Sequence, residues 1–200
     1  MILKYWKDEK IRLENKNIVL TQLDEIDIEL IHSFTSDYSN LTPFFSTNIR
    51  SAEYWRNRYR EDGLWNENYG MLKIIDKTDD EIAGITWFFK PPSQHSQLEG
   101  YEIAFNMFRP SKRDKRFSGQ VLKMVSSYLF ATYPVARIQS TTMLDANDST
   151  IDRVAKASGF YYEGTMRKAN FVRGKHIDVQ LFSLLREESI PLDDLITDTQ

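Results

Sequence analysis

The middle of the chain changes from a strand pattern to a helix pattern across a short basic segment. Residues 101–108 (YEIAFNMF) have the apolar character of a buried strand, which Pro110 ends. Apolar residues then recur at three- and four-residue steps from Val121 to Phe130, which predicts an amphipathic helix. The segment between them, residues 111–117, contains four basic side chains. A helix that starts after such a segment directs free backbone N–H groups and the positive end of its dipole outward, which favours a bound anion.

The other patterns predict an α/β chain with a largely antiparallel sheet. Two apolar runs are separated by a polar segment of hairpin length, residues 76–81. Ser51 is expected to cap a helix by accepting a backbone N–H, and Gly159 is expected to end another in a left-handed conformation. The predicted strands are 17–23, 71–75, 82–89, 101–108, 138–144, 160–164 and 177–185, and the predicted helices begin after Asp24, at Ser51, after residue 117 and near residue 149.

Length and composition favour one globular domain. The chain has 200 residues, of which 41% are hydrophobic and 28% charged, so it can bury a core of its own. We expect this domain to span residues 1–188 and to be followed by a flexible acidic tail, residues 189–200. The formal net charge of −3 argues against a generally basic surface for nucleic acid, so any anion site must be local.

Several site classes are excluded or disfavoured by residue type. The chain contains no cysteine, which excludes disulfides, thiolate metal sites and a cysteine nucleophile. Its three histidines, His32, His95 and His176, have no metal-ligand spacing, so no metal is expected. No stretch approaches the roughly 20 apolar residues of a membrane span, and the first residues lack the apolar run of a signal peptide. We therefore expect a soluble cytoplasmic protein without a membrane partner.

Three motifs follow one another in a characteristic order. Residues 82–86 (IAGIT) match a strand pattern I-G-x-I, and residues 102–107 (EIAFNM) match E-I-G-Y-x-L. Residues 159–167 (GFYYEGTMR), with Asp178 and Leu184, match G-F-x-x-E-G-x-x-R … D … L. From residue 17 to about 187 the chain thus resembles the Gcn5-related N-acetyltransferase (GNAT) superfamily, in the branch of the ribosomal-protein alanine acetyltransferases. The resemblance implies the GNAT fold, a mixed and largely antiparallel central sheet flanked by helices.

The resemblance also implies that the basic segment binds the pyrophosphate of acetyl-CoA or another acyl-CoA as co-substrate. The family pattern [Q/R]-x-x-G-x-[G/A] falls on residues 113–118, where Arg116 replaces the first glycine and Ser118 the second small residue. Arg116 either obstructs the approach of phosphate to the backbone or binds the phosphate through its guanidinium. The predicted cofactor contacts are Phe108, Arg113, Asp114, Lys115, Arg116, Phe117, Ser118, Gly119 and Asn147.

The implied reaction is a direct transfer of the acyl group from the thioester to an amine. Glu102 is the first candidate for the general base, and a structural salt bridge is the alternative. Backbone N–H groups of residues 105–108 would polarise the thioester carbonyl. Asn147 would contact the CoA arm or the acceptor, or else cap a helix. Tyr128 and Tyr133 would protonate the leaving thiolate, or else pack in the core.

The acceptor is left open, as a small-molecule amine or a protein N-terminus. In the family it is selected by the first helices and the loop before the last strand, here expected at residues 167–176. Trp65 is a candidate for the wall of an acceptor cleft, whereas Trp55 and Trp87 are expected in the core. A monomer or homodimer is expected. Two other functions remain open: a GNAT-fold ligand-binding or interaction protein without catalysis, and an acyltransferase that uses an acyl carrier protein as donor.

Overall fold

The computed structural model describes residues 10–36, 50–91, 100–108, 117–143, 150–172 and 174–196. These ranges contain nine strands and four α-helices, followed by two short 3-10 helices. The strands are β1 (Arg12–Glu14), β2 (Ile18–Gln22), β3 (Trp65–Asn66), β4 (Tyr69–Asp76), β5 (Glu81–Phe89), β6 (Gly100–Met107), β7 (Arg137–Met143), β8 (Tyr161–Val172) and β9 (Lys175–Leu185). The helices are α1 (Asp27–Ser36), α2 (Ala52–Asp62), α3 (Phe117–Thr132) and α4 (Thr150–Ala157), and the 3-10 helices are Arg186–Glu188 and Leu192–Asp194. Along the chain the strands and α-helices follow the order β1-β2-α1-α2-β3-β4-β5-β6-α3-β7-α4-β8-β9.

All the described strands belong to one sheet with the order β1-β2-β4-β5-β6-β7-β9-β8, and β3 pairs with β4 outside this path. Every neighbouring pair is antiparallel except β6 and β7, which run parallel. The predicted mixed, largely antiparallel sheet with flanking helices is confirmed. The parallel pair requires a crossover, and α3 lies in the chain between its two strands.

The two faces of the sheet carry different helices. On one face α3 buries Val121, Val125 and Leu129 against Tyr101 and Ile103 of β6 in the larger core cluster. The helix α4 contacts α3, β7 and β8, and its Ala155 joins the same cluster. On the other face, residues from α1 pack with residues from β4 and β5 in a smaller cluster, and α2 contacts α1. The smaller cluster comprises Leu23, Ile28, Ile31, Leu64, Met71, Ile85 and Phe108.

Both predicted caps are present. The Ser51 hydroxyl accepts the backbone N–H of Tyr54 at 3.1 Å, which satisfies one of the free donors at the start of α2. Gly159 follows α4 with φ +90°, a conformation that costs a residue without Cβ little. These local signals therefore placed a helix start and a helix end correctly.

The last two strands differ from the prediction. The segment 167–176 is a hairpin rather than a loop, because β8 continues to Val172 and β9 begins at Lys175. The register of the pair shifts twice, between Tyr162 and Gly164 and between Met166 and Asn170, and most of β8 is exposed. An exposed strand with interrupted alternation lacks the apolar period on which strand prediction relies. The three-residue strand β1 was also missed.

The segment after β9 is in contact with the domain. Leu192, Leu195 and Ile196 pack against the larger core cluster. The Ser127 hydroxyl on α3 donates a hydrogen bond to the Ile190 carbonyl at 2.7 Å. This packing differs from the expected flexible tail, because three apolar side chains lie within the acidic segment. The domain boundary at residue 188 stays a prediction, and residues 197–200 lie outside the described part.

One lysine attaches the start of α1 to the sheet. The Lys73 amine on β4 lies 2.8 Å from a carboxylate oxygen of Asp24 and 2.8 Å from one of Asp27. Burial alone would lower the pKa of Lys73, but hydrogen bonds to the two carboxylates raise it above its ordinary value. Asp27 also accepts the backbone N–H of Asp24 at 2.7 Å. The side chains of Lys73 and Asp27 are only 12% and 8% exposed, so their charges depend on each other.

We predict that Lys73→Met destabilises the protein by about 3–5 kcal/mol, because it leaves the buried Asp27 carboxylate without its cation. Urea unfolding would measure this loss. Lys77→Met is the matched control, because Lys77 pairs with Glu14 at 2.5 Å and its side chain is 35% exposed. The control should cost less than about 1 kcal/mol. Equal losses in the two variants would contradict the role of Lys73.

Candidate functional site

The sheet opens between β6 and β7. These strands pair only at Gly100↔Arg137, Tyr101↔Ile138 and Glu102↔Gln139. Beyond Glu102, β6 continues to Met107 in register with β5, while β7 continues to Met143 in register with β9. We call the space between the diverging strands the wedge, bounded by residues 103–107 on one side and 140–143 on the other. It exposes strand edges in the middle of a sheet, where a ligand can form backbone hydrogen bonds.

The backbone of β6 presents specific groups to the wedge. The Phe108 N–H donates to the Ala83 carbonyl at 2.9 Å, and the Ala104 carbonyl accepts the Thr86 hydroxyl at 3.0 Å. Residues 104 and 108 thus direct their backbone groups toward β5. Because the direction alternates along an antiparallel strand, the N–H of Phe105 points toward the wedge. Of the N–H groups predicted to polarise the thioester carbonyl, that of Phe108 is already hydrogen-bonded to Ala83, whereas that of Phe105 faces the wedge.

Glu102 lies where the wedge begins. One carboxylate oxygen accepts the Thr141 hydroxyl at 2.6 Å, and the other accepts the Gln139 side-chain amide at 3.0 Å. Both donors belong to β7, so the carboxylate bridges the two strands at the point of divergence. Within the described residues Glu102 forms no ion pair, and its role as base or as structural partner stays a prediction. A carboxylate offers about four acceptor positions, so it retains capacity for an incoming proton donor.

The start of α3 lies beyond the end of β6 in the chain. Its first described turn contains no acidic residue. Phe117 and Ser118 are 8% and 1% exposed, so their side chains face the core. The Gly119 carbonyl accepts a hydrogen bond from the Ser158 hydroxyl at 3.3 Å, and a Cβ on Gly119 would lie 3.4 Å from the Ser158 hydroxyl oxygen. The start of α3 is thus hydrogen-bonded to the residue that follows α4.

Phe108 is a core residue through its ring. The ring stacks on Phe34 of α1 with centroids 4.1 Å apart and planes 7° apart. The side chain is 8% exposed. With its N–H bonded to Ala83, only the carbonyl of Phe108 is left for a cofactor contact.

Five other predicted cofactor residues lie outside the described part of the chain: Arg113, Asp114, Lys115, Arg116 and Asn147. They belong to two segments, 109–116 and 144–149. The first follows β6 and the second follows β7. Because β6 and β7 are parallel, their carboxyl ends lie at the same edge of the sheet, where the wedge is open.

The structure places Tyr128 and Tyr133 in the larger core cluster, as packing residues. The Tyr133 ring lies 5.0 Å from that of Tyr101, and the Tyr128 ring lies 6.2 Å from that of Trp65. Burial raises the pKa of both phenols. Tyr128 is eleven residues beyond Phe117, about 16 Å along the helix axis, so it lies far from the start of α3. Neither tyrosine is placed to protonate a thiolate at the wedge.

Trp55, Trp65 and Trp87 all pack against the core clusters. Trp65 packs edge-on against Phe88, with centroids 5.2 Å apart, in the core on the α3 face. Trp55 and Trp87 pack against the smaller core cluster, as predicted, and they also line a cavity of about 530 Å³ between α1, α2, β4 and β5. Trp87 pairs with Ala104 and Phe89 with Glu102, and paired residues share a face of the sheet. The cavity and Glu102 therefore lie on the same face, which the sequence did not indicate.

A second polar group continues this face past β7. Glu163 on β8 accepts hydrogen bonds from the Ser183 hydroxyl and from the Arg137 guanidinium, the latter at 3.1 Å. The Ser183 hydrogen bond and the Arg137 charge hold the pKa of Glu163 below its ordinary value. Ser183 pairs with Gln139, the residue that donates to Glu102. The face thus carries a continuous set of polar side chains from Glu102 to Glu163.

The described residues include neither a cluster of metal ligands nor a helix that could span a membrane. In the described ranges, no three His, Cys, Asp or Glu side chains come together as a metal site would require. No helix in the part of the chain that the structure describes is long and apolar enough to cross a membrane.

Comparison with known families gives one match over most of the chain. The model of the family described as "Acetyltransferase (GNAT) domain" matches residues 19–181. The SPbeta prophage-derived uncharacterized N-acetyltransferase YokL of Bacillus subtilis (strain 168) is 26% identical over 191 residues, covering 94% of this chain and 97% of that protein. The uncharacterized N-acetyltransferase YoaA of the same strain is 25% identical over 177 residues, covering 87% and 96%.

Solved structures share the fold at low sequence identity. The spermidine N-acetyltransferase from Vibrio cholerae, in complex with CoA and spermine, superposes with a TM-score of 0.72 at 16% identity and covers 87% of this chain and 98% of its own. The ribosomal L7/L12 alpha-N-protein acetyltransferase RimL, in complex with coenzyme A, gives 0.71 at 17% identity and covers 88% and 98%.

We predict that Glu163→Gln removes a pH-dependent stabilisation. Because the pKa of Glu163 is lowered in the folded state, its contribution is full above the unfolded value and is lost as pH falls through the folded value. The Glu163 side chain is 40% exposed, so the effect should stay below about 1 kcal/mol. Thermal unfolding should show a difference between wild type and variant above about pH 6 that disappears below about pH 3.

The exposed Glu187→Gln serves as the matched control, and it should show no such trend. A Glu163→Gln difference that is constant with pH would contradict the assignment.

Proposed function

The chain belongs to the GNAT acetyltransferase family, and on this premise we propose that it transfers an acetyl or other acyl group from coenzyme A to a primary amine at the wedge. The observation that carries the proposal is that the pairing of β6 and β7 stops at Glu102↔Gln139. This leaves an open strand edge, a carboxylate and a cavity on adjacent parts of the sheet. The two solved neighbours with bound CoA support acyl-CoA as the co-substrate.

The wedge suits the amide-containing arm of coenzyme A. An extended chain can add to an open strand edge as a further strand, with backbone hydrogen bonds providing affinity. Here β6 offers the backbone groups of Phe105 at its free edge. The thioester would then lie next to the β6 backbone, within reach of the carboxylate at the start of the wedge.

The start of α3 suits the phosphates. The positive end of its dipole favours an anion, and its first described turn carries no carboxylate. We assign the pyrophosphate to residues 117–119 through their backbones and to Arg113, Lys115 and Arg116 through charge. Asp114 and Asn147 remain proposed contacts, Asn147 at the other side of the wedge.

In the proposed reaction, Glu102 accepts a proton from the acceptor amine as the nitrogen attacks the thioester carbonyl. The Phe105 N–H stabilises the negative charge that develops on the carbonyl oxygen. The tetrahedral intermediate then collapses, the C–S bond breaks, and the thiolate of CoA takes a proton from Glu102 or water. Holding amine and thioester together accounts for up to about 7–11 kcal/mol of the barrier in favourable systems.

The wider expectations from the sequence stay predictions. These are a cytoplasmic location, a monomer or homodimer, and a small-molecule or peptide amine as acceptor. Two alternatives also stay open, namely a binding protein without catalysis and a donor carried by an acyl carrier protein. Thermal shifts with CoA, acetyl-CoA and longer acyl-CoAs would separate them, because a ligand of the native state raises apparent stability. A shift without thiol release from any amine would favour the binding protein.

We predict that Arg116→Gly weakens CoA binding by about 1.5–3 kcal/mol, the range for a hydrogen bond to a charged group. This follows if the guanidinium binds phosphate in place of the motif glycine. Isothermal calorimetry with CoA would measure it, with Arg113→Glu as a reference that should weaken binding in any case. Tighter binding in Arg116→Gly would mean that the side chain obstructs the phosphate. Absence of CoA binding in the wild type would exclude a coenzyme A donor.

We predict that Glu102→Gln lowers turnover by roughly 10²–10⁴ and leaves CoA affinity unchanged, because glutamine keeps the size but cannot accept the amine proton. Thiol release in the presence of an active amine would measure turnover. Glu187→Gln is the control for a change of one exposed charge. Undiminished turnover in a stable Glu102→Gln protein would show that the base lies elsewhere. Loss of folding with normal turnover in the residual enzyme would make Glu102 structural.

A further inference from the structure

The cavity on the Glu102 face has a wall of unusual composition. It measures about 530 Å³ and is lined by four aromatic side chains, Tyr54, Trp55, Tyr69 and Trp87, with aliphatic side chains between them. This volume is in the range of small-molecule sites, which are mostly apolar with few polar groups. Flat aromatic walls contribute large contact areas and orient a planar or apolar ligand.

The polar groups of the wall are hydrogen-bond donors. Arg58 contributes the only charge among the described residues that line the cavity, and none of these residues carries a carboxylate. Burial raises the pKa of the Tyr69 phenol, which therefore stays protonated and able to donate. Arg58 also pairs with Glu61 at 2.9 Å and lies 3.8 Å from Asp62, but a guanidinium has five N–H donors and can serve more than one partner.

Trp87, which lines the cavity, lies on β5 next to the part of β6 that carries Glu102. Trp87 stands directly opposite Ala104, and Glu102 is the next residue along β6 on the same face. Diagonal neighbours on two strands lie about 7–8 Å apart, which a short carbon chain spans. Between Trp87 and Glu102, Ala104 contributes only a methyl group on this face, and Phe89 stands directly opposite Glu102.

We propose that this cavity binds the body of the acceptor, and that the acceptor is a primary amine on an aromatic or apolar group without a second positive charge. The inference rests on the proposed function for the position of the reacting amine. The aromatic walls hold the apolar group, Ala104 leaves room for the linker, and the amine reaches Glu102. A neutral oxygen or a carboxylate on the ligand can accept hydrogen bonds from the Arg58 guanidinium and the Tyr69 hydroxyl.

The same wall disfavours a polyamine. A second ammonium group in the cavity would meet the Arg58 guanidinium and no carboxylate among the lining residues, and like charges repel, although Glu61 and Asp62 partly compensate the Arg58 charge. Aromatic faces attract a cation, but this attraction does not replace a missing counter-ion for a strongly hydrated ammonium. This chain should therefore differ in substrate class from the structural neighbour that holds spermine.

The test compares 2-phenylethylamine with spermine on the full chain. Binding is measured by calorimetry without donor, and thiol release is measured with acetyl-CoA. We expect 2-phenylethylamine to bind at least about tenfold more tightly than spermine, and Trp87→Ala to weaken its binding by about tenfold. Arg58→Glu should increase spermine affinity by about tenfold or more, because it places a carboxylate in the wall.

Arg56→Glu is the matched control, because Arg56 lies on the same helix and pairs with Glu29 and Glu53 outside the cavity. It should leave the affinities for both amines unchanged. Circular dichroism would show whether Trp87→Ala is folded. If it is not, the comparison of Arg58→Glu with Arg56→Glu still tests whether the cavity selects the amine.

The outcomes separate the two proposals. Tighter binding of spermine than of 2-phenylethylamine to the wild type, or no binding of 2-phenylethylamine, would overturn the inference. An equal change of spermine affinity in Arg56→Glu and Arg58→Glu would also overturn it. Thiol release with spermine but not 2-phenylethylamine would overturn it while leaving the proposed function intact. Binding of 2-phenylethylamine that depends on Trp87, without thiol release, would support the cavity and contradict the transferase.

Discussion

The site depends on where β6 and β7 stop pairing. At the start of the pair the backbones come close, since a Cβ on Gly100 would lie 2.8 Å from the Arg137 carbonyl oxygen. Beyond Glu102 each strand remains bonded to its other neighbour, β5 or β9, so the wedge stays part of a continuous sheet. The Glu102 carboxylate joins both strands at this point through Gln139 and Thr141. A ligand in the wedge therefore meets backbone groups that neighbouring strands already hold in place.

The two faces of the sheet serve different purposes around this wedge. The α3 face is a packed core that fixes the crossover between β6 and β7, and Ser158 after α4 donates a hydrogen bond to the Gly119 carbonyl of α3. The opposite face carries polar side chains along β6, β7 and β9, and the aromatic cavity beneath α1 and α2. Because strand residues alternate between faces, each residue of β6 contributes either to the core or to the proposed reaction surface.

Local patterns predicted the fold, whereas the site depends on contacts distant in sequence. The hairpin of β4 and β5 follows from a polar turn, and the start of α2 follows from Ser51. The wedge has no local signal, because it depends on divergence between strands in separate parts of the chain. Trp87 and Phe88 are both apolar, so their pattern does not tell which one faces the cavity when both faces are covered. The sequence pattern therefore did not single out Trp87 as a residue of the cavity wall.

The proposed base and the acceptor cavity are built from separate parts of the chain. Among the described residues, the hydrogen-bond partners of the Glu102 carboxylate belong to β7, whereas the cavity is formed by α1, α2, β4 and β5, with α1 fixed to β4 through Lys73. The two parts meet where Trp87 stands opposite Ala104. Substitutions in the cavity can thus change the acceptor without displacing the carboxylate. Substitutions at Gln139 or Thr141 would instead reorient Glu102 for every acceptor, because they remove its hydrogen-bond partners.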